Sequence, residues 1–299
     1  MKHLQNLGDL LDKDENPSKL ALIDLSVRGK VRRFSHENID AAAKAMARKL
    51  MNEGFKRGDH IAILAANSAE FLIAYLGTMR AGMVSIPINH KFPNDTIEFI
   101  LHDSNCKLVF ADKDRLSQIP EVYPTVSFEG TGNNSFDDWL DWGDFETVVP
   151  KKNEIAMFLY TSGSTGRPKG VPLTHQGHLW VIEMRLKQKP ESFHKMLVAA
   201  PLYHMNGLAI CKVALAAHLT IILLPQFSAK EYVEAIGEYG VTWLTSVAAM
   251  MAMVVREEKL LQETDLSSVK IVRMGSAPVS LKLIADIRKF LPNAKITNG

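Results

Sequence analysis

Cysteine is scarce in this sequence, and no targeting segment is evident at its start. Only two cysteines occur among 299 residues, Cys106 and Cys211, and they are not spaced like metal ligands. Two such residues are typical of reduced, packed thiols in a cytoplasmic protein. The opening residues, Met1–Asn6, lack the apolar core of a signal peptide. We therefore expect a cytoplasmic location.

No hydrophobic run is long enough to span a bilayer. The longest apolar stretch covers residues 208–224, and Lys212 and His218 interrupt it. A turn before Leu219 should divide the stretch into a helix and a strand. Each piece is shorter than the roughly 20 residues that cross a membrane, so the sequence predicts no transmembrane segment.

Strong charge of one sign is also missing. The 35 basic and 33 acidic residues give a formal net charge of +2, and no basic cluster is interleaved with aromatic residues. Nucleic acid is therefore not an expected partner. With 46% hydrophobic residues, the chain can bury one large or two ordinary cores.

Short apolar runs alternate with amphipathic helical patterns along most of the chain. Helical stripes start after Ser35, near Ser68 and near Leu283, and they should end at Gly54, Gly82 and Pro292 respectively. Because the strands are largely apolar throughout, we expect an α/β fold of doubly wound parallel sheets with helices on both faces. The predicted strands are 61–64, 84–88, 107–111, 155–160, 196–200, 220–224, 242–247 and 270–274.

One stretch is the weakest for regular structure, from about residue 118 to 153. Its segment Asp137–Trp142 contains three aspartates that could suggest a metal site, but a short surface helix held by two tryptophans is the better interpretation.

The most informative segment is 159–170, which reads LYTSGSTGRPKG directly after an apolar run. It combines four small hydroxyl side chains, three glycines and one lysine. Hydroxyls and glycine N–H groups donate hydrogen bonds at short range, and lysine adds a positive charge, so the segment suits a polyphosphate. The candidate phosphate-contacting residues are Thr161, Ser162, Gly163, Ser164, Thr165, Gly166 and Lys169.

Two other interpretations of this segment are weaker. A Walker P-loop needs four residues before a Gly-Lys-Ser/Thr end, but only two separate Gly163 from Gly166, and Lys169 precedes Gly170. A flexible linker would not need the apolar strand before the segment or the helix-like segment after it.

The segment resembles the phosphate loop of the adenylate-forming superfamily, which contains acyl- and aryl-CoA synthetases, peptide-synthetase adenylation domains and luciferases. Residues 201–207, PLYHMNG, resemble the Pro-x-x-His-x-x-Gly segment of acyl-CoA synthetases. Residues 275–280, GSAPVS, resemble the Gly-x-Ala-Pro-Leu-Ser turn of the superfamily. The resemblance runs from about residue 20 to 299 and implies an N-terminal domain of interwoven βα subdomains.

The resemblance implies a reaction and a set of site residues. A carboxylic acid is activated by ATP to acyl-AMP with release of pyrophosphate, and the acyl group then passes to the thiol of CoA, as in fatty acid metabolism. His204 would lie at the acyl end of the pocket. The adenine and acyl wall would include Gly275, Ser276, Ala277 and Pro278, with Asn298 and Gly299 beside them. ATP, Mg²⁺ and CoA are the expected cofactors and co-substrates.

The sequence departs from the family pattern where it stops, at Gly299. The Thr-Glu pair for Mg²⁺, the ribose-binding Asp and the mobile C-terminal domain with its catalytic lysine are absent. We therefore expect a truncated N-terminal adenylation domain, residues 1–299, that is inactive alone and contributes few Mg²⁺ ligands.

Other functions remain open at the level of sequence. An amino-acid adenylation domain usually has an Asp near the His204 segment, where this chain has no carboxylate. A luciferase-like oxidase is compatible with the phosphate loop alone. A non-catalytic nucleotide-binding protein would be the interpretation if the truncation is natural. The small apolar segment Ser246–Met250 indicates an apolar acyl or aryl group of unknown length.

Overall fold

Two β-sheets and the helices that cover them form the protein, seen here in a computed structural model. The structure describes residues 4–12, 14–130, 135–161, 167–188, 190–191 and 193–298. Over these residues, no helix is both long and apolar enough to cross a membrane. The strands are β1 Leu20–Asp24, β2 Arg32–Ser35, β3 His60–Leu64, β4 Val84–Pro87, β5 Cys106–Ala111, β6 Thr125–Ser127, β7 Ile155–Thr161, β8 Lys169–Thr174, β9 Lys195–Val198, β10 Thr220–Leu223, β11 Trp243–Val247, β12 Ile271–Gly275 and β13 Lys295–Asn298.

The helices are mostly short, and several begin at a capping side chain. Ser35, Ser68 and Ser280 each accept a hydrogen bond from a backbone N–H three residues further on. The helices are α1 His36–Asn52, α2 Ala69–Arg80, α3 Asn94–Asp103, α4 Phe136–Trp139, α5 His175–Leu186, α6 Met205–Ala216, α7 Ala229–Tyr239, α8 Ala248–Val254, α9 Glu258–Glu263 and α10 Leu281–Phe290, with a 3₁₀ helix at Lys113–Gln118.

The seven-stranded sheet has the order β13-β12-β11-β9-β10-β1-β2, and the six-stranded sheet has the order β6-β5-β3-β4-β7-β8. Each sheet is parallel except at one edge, where β2 and β8 run antiparallel to their neighbours. The predicted doubly wound, mainly parallel architecture is therefore confirmed, and all eight predicted strands are present.

Strand alternation divides the core into three clusters. Ile221 and Leu223 of β10 face a central cluster between the two sheets, whereas Ile222 faces an outer cluster under α7, α8 and α10. In the other sheet, Ala62 and Leu64 face a third cluster beneath α3. Helices α1, α2, α5 and α6 fill the space between the sheets, so both faces of each sheet are covered.

Two details differ from the prediction, and a third agrees with it. The segment after the phosphate loop is not yet helical: strand β8 comes first, and α5 begins only at His175. The helix at Phe136–Trp139 buries Trp139, but Trp142 is 59% exposed and is therefore not a buried anchor. Both cysteines are free and buried, as predicted.

Candidate active site

A buried asparagine holds the carboxyl ends of the two sheets together. Asn67 follows β3, and its Nδ2 donates to the carbonyl oxygens of Ala200 at 3.1 Å and Leu224 at 3.0 Å. Its Oδ1 accepts a hydrogen bond of 2.8 Å from the N–H of Leu202. Because Ala200 and Leu224 follow β9 and β10, the carboxyl edges of both sheets meet here. Ligands of open parallel sheets collect at such edges.

The phosphate-loop segment connects β7 and β8 at this edge. Thr161, the last residue of β7, lies directly opposite Lys169, the first residue of β8, and both are exposed. The predicted phosphate contacts Ser162, Gly163, Ser164, Thr165 and Gly166 lie outside the described residues. The guanidinium of Arg167 lies 5.5 Å from the ring centre of Phe99. The described part therefore brings one hydroxyl and one lysine of the predicted set to the same end of the hairpin.

His204 is the residue immediately before α6, at the carboxyl edge of the seven-stranded sheet. Its side chain is exposed and does not cap the helix. Partial desolvation and the nearby Lys91 ammonium lower the pKa of His204 below its ordinary value of 6.5. The imidazole is therefore mostly neutral at neutral pH.

The close packing beneath His204 requires a glycine. A Cβ on Gly207 would lie 2.6 Å from the carbonyl oxygen of Pro201 and 2.8 Å from that of Ala200. The absence of a side chain lets the first turn of α6 lie directly on the segment that follows β9. Gly207 thus fixes the direction in which the helix leaves the site.

Sequence reasoning missed an aromatic row beside His204. The His90 ring lies edge-on to the Tyr203 ring at 5.1 Å, and Tyr203 contacts His204 with ring centres 4.7 Å apart. Burial and the Arg115 charge lower the pKa of His90, whose Nδ1 lies 3.2 Å from the carbonyl oxygen of Ala65. His90 could have been found from its position, because it follows strand β4 at the ligand-binding edge.

The turn after β12 is strained. Ser276 has a φ of +68°, which a residue with a Cβ seldom adopts, and Ser276, Ala277 and Pro278 are exposed while Gly275 is buried. Such a conformation costs about 1–3 kcal/mol and is often retained where a site needs it. Asn298 on β13 lies beside Met274 in register and is exposed at the same end of the sheet.

The predicted residues therefore divide into three groups. The first group, Thr161, Lys169 and His204, lies at the edge where the two sheets meet. The second group, the 275–278 turn and Asn298, lies further along the same edge of the seven-stranded sheet. The third group lies outside the described residues and comprises Ser162, Gly163, Ser164, Thr165, Gly166 and Gly299. Among residues 4–298 as described, no three His, Cys, Asp or Glu side chains are arranged to hold a metal ion.

Comparison with known proteins agrees with the fold and with the sequence motifs. A family model described as "AMP-binding enzyme" matches residues 12–299. An oxalate–CoA ligase from Arabidopsis thaliana is 26% identical over 281 residues, covering 89% of this chain and 54% of that protein. A 4-coumarate–CoA ligase from Vanilla planifolia is 27% identical over 289 residues, with coverages of 89% and 52%.

Solved structures agree with this family assignment. The ATP-bound MatB from Rhodopseudomonas palustris has a TM-score of 0.86 at 25% identity, covering 98% of this chain and 59% of that one. The N-terminal domain of FACL13 from Mycobacterium tuberculosis has a TM-score of 0.87 at 23% identity, with coverages of 99% and 75%, and shows the shared fold. The fold is that of adenylate-forming N-terminal domains. The chain belongs to the AMP-binding enzyme family, and it spans about half the length of the curated relatives it matches.

Proposed function

We propose that this chain belongs to an ATP-dependent acid–thiol ligase that converts a carboxylic acid to acyl-AMP and transfers the acyl group to CoA. Membership of the AMP-binding family carries this proposal. The relatives named as CoA ligases and the ATP-bound neighbour support it. The proposal concerns the complete enzyme, in which residues 1–299 form part of the N-terminal adenylation domain.

The chemistry needs little acid–base assistance from the protein. A carboxylate oxygen is already a competent nucleophile toward the α-phosphorus of ATP. The barrier comes from repulsion between the anions and from charge that develops on phosphate oxygens, which preorganised donors and cations stabilise. We assign this role to the hydroxyl and N–H groups of Thr161–Gly166 and to the ammonium of Lys169.

His204 suits the acyl end of the site. A neutral imidazole has one N–H donor and one acceptor nitrogen, and the lowered pKa favours this neutral form. It can donate a hydrogen bond to a carboxylate or to an acyl carbonyl without neutralising the nucleophile by proton transfer. The small side chains around Ser276 would leave room for a planar ring to lie against the backbone of that turn. The magnesium, ribose and CoA contacts are expected in the rest of the enzyme.

A binding experiment tests the phosphate assignment. We expect calorimetry on the complete enzyme to show ATP binding in the presence of Mg²⁺. Lys169→Ala should weaken this binding about tenfold, because one cation–phosphate contact contributes about 1.5 kcal/mol. The matched control is Lys30→Ala, since Lys30 is an exposed lysine in the turn before β2. Equal ATP affinity in the Lys169→Ala protein would refute the role of this residue, and the absence of any ATP binding would refute the proposed function.

A substrate panel tests the acceptor chemistry. The complete enzyme should release AMP with a carboxylic acid and CoA and should not prefer free amino acids. A preference for amino acids would contradict the CoA-ligase assignment and favour an adenylation domain that loads a carrier protein.

A further inference from the structure

Strand β12 directs an arginine toward the helices between the two sheets. Val272 and Met274 of this strand lie in the outer cluster, so Arg273 between them lies on the opposite face. Arg273 pairs with Thr245 of the neighbouring strand β11. Trp243 lies on the same face of β11 as Thr245 and packs against the central cluster. The guanidinium therefore projects into the layer that contains α5 and α6.

A second arginine, Arg185, lies on a helix of the layer that covers this face of the sheet. Arg185 lies in the last turn of α5, which packs against α6. Desolvation and, after it, the positive charge of Arg185 lower the pKa of Arg273 below its ordinary value, so Arg185 lies within electrostatic range of Arg273. Both side chains are half-buried.

Neither arginine forms an ion pair within the described part of the chain. Every other half-buried or buried arginine in that part, such as Arg32 and Arg80, contacts a carboxylate. Two like charges that lose part of their hydration without a counter-ion cost free energy. A planar guanidinium matches a carboxylate with two parallel hydrogen bonds, and an anionic ligand would therefore relieve this cost.

The position of the pair indicates which anion. Arg273 is two residues before Gly275, where the strained turn begins, and β12 is two strands from β9, which leads to His204. Two strand spacings amount to about 10 Å. A dicarboxylate with one carboxylate beside His204 can meet an extended arginine side chain across such a distance.

We propose that Arg185 and Arg273 bind a second carboxylate of the acid substrate, so that the enzyme selects dicarboxylic over monocarboxylic acids. The inference rests on the proposed function, because it names the substrate class of the same site. It also gives a reason for a charged side chain beside the mostly apolar wall Ser246–Met250, since the Ser246 hydroxyl donates a 3.2 Å hydrogen bond to the carbonyl oxygen of Arg273.

The test compares matched acids on the complete enzyme: succinate with butanoate, glutarate with pentanoate, and adipate with hexanoate. One of the dicarboxylates should have a higher kcat/KM than its monocarboxylate partner in AMP release. Arg273→Met and Arg185→Met should each reduce the ratio of the two kcat/KM values by about tenfold to hundredfold, the loss of a charged hydrogen bond. Arg288→Met is the control, since Arg288 is exposed on the outer helix α10, and its ratio should stay unchanged.

Calorimetry with the dicarboxylates and no ATP provides a second measurement that does not depend on turnover. Binding should weaken in Arg273→Met and recover in part in Arg273→Lys, which keeps the positive charge. Monocarboxylate preference, or dicarboxylate binding that is equal in all variants, would overturn the arginine assignment. Dicarboxylate binding without AMP release from any acid would support the arginine site while contradicting the proposed ligase activity.

Discussion

Replacing Asn67 by alanine should be one of the most damaging single changes in this protein. The side chain is 2% exposed and makes three hydrogen bonds, to Ala200, Leu202 and Leu224. Each lost bond costs about 1 kcal/mol net, and buried backbone groups left without a partner add to this. We therefore expect the free energy of unfolding to fall by about 3–4 kcal/mol.

The measurement is guanidinium unfolding followed by tryptophan fluorescence and by circular dichroism. Asn52→Ala is the matched control, because the Nδ2 of Asn52 donates a 2.6 Å hydrogen bond to Asp141 on the exposed surface. Its removal should change stability by less than about 0.5 kcal/mol. Asn67→Asp should be nearly as harmful as Asn67→Ala, since a carboxylate would face two carbonyl oxygens. A loss below about 1 kcal/mol in Asn67→Ala would show that the two sheets do not depend on this contact.

Two further substitutions test α6. Gly207→Ala should lower the free energy of unfolding by about 1–3 kcal/mol, because the new Cβ would overlap the Pro201 carbonyl. Gly177→Ala is the control and should not destabilise the protein, since its Cβ would lie 3.2 Å from a side-chain hydroxyl. Equal melting temperatures for the two variants would contradict the packing argument. Lys212 is fully buried, with Nζ 3.2 Å from Nδ1 of His178, and burial lowers its pKa from 10.5 to about 7. The unfolded chain binds more protons between these values, so stability should rise with pH over that window. Lys212→Met should unfold at a higher denaturant concentration than wild type at pH 7, and the difference should shrink toward pH 10; a constant difference would refute the lowered pKa.

The strands that sequence reasoning found are those with an unbroken apolar character. The eight predicted runs lie in the interior of a sheet or close to it, where both faces are covered. Strand β8 was not predicted because Pro172 and exposed positions give it no apolar pattern, and it is found at a sheet edge, where a proline is tolerated. Strand β2, with two arginines, is likewise an edge strand.

The site residues likewise divide into those that the sequence identified and those that only the structure revealed. Local motifs identified the phosphate loop, His204 and the 275–278 turn, because the functional groups of each lie within a few consecutive residues. Asn67 and the pair Arg185 and Arg273 have no such local signature. Their partners are distant in the chain, and only the packing of helices on sheets brings them together.

The sequence alone therefore determined which segments become buried strands and helices, and which short stretches suit a polyphosphate or an acyl group. These properties follow from side-chain periodicity and from donors placed next to one another along the backbone. The tertiary structure alone decided that the two sheets meet at their carboxyl edges and that Arg273 lies within electrostatic range of Arg185. Such relations depend on contacts between residues separated by as many as 157 positions, as between Asn67 and Leu224, and no local pattern encodes them.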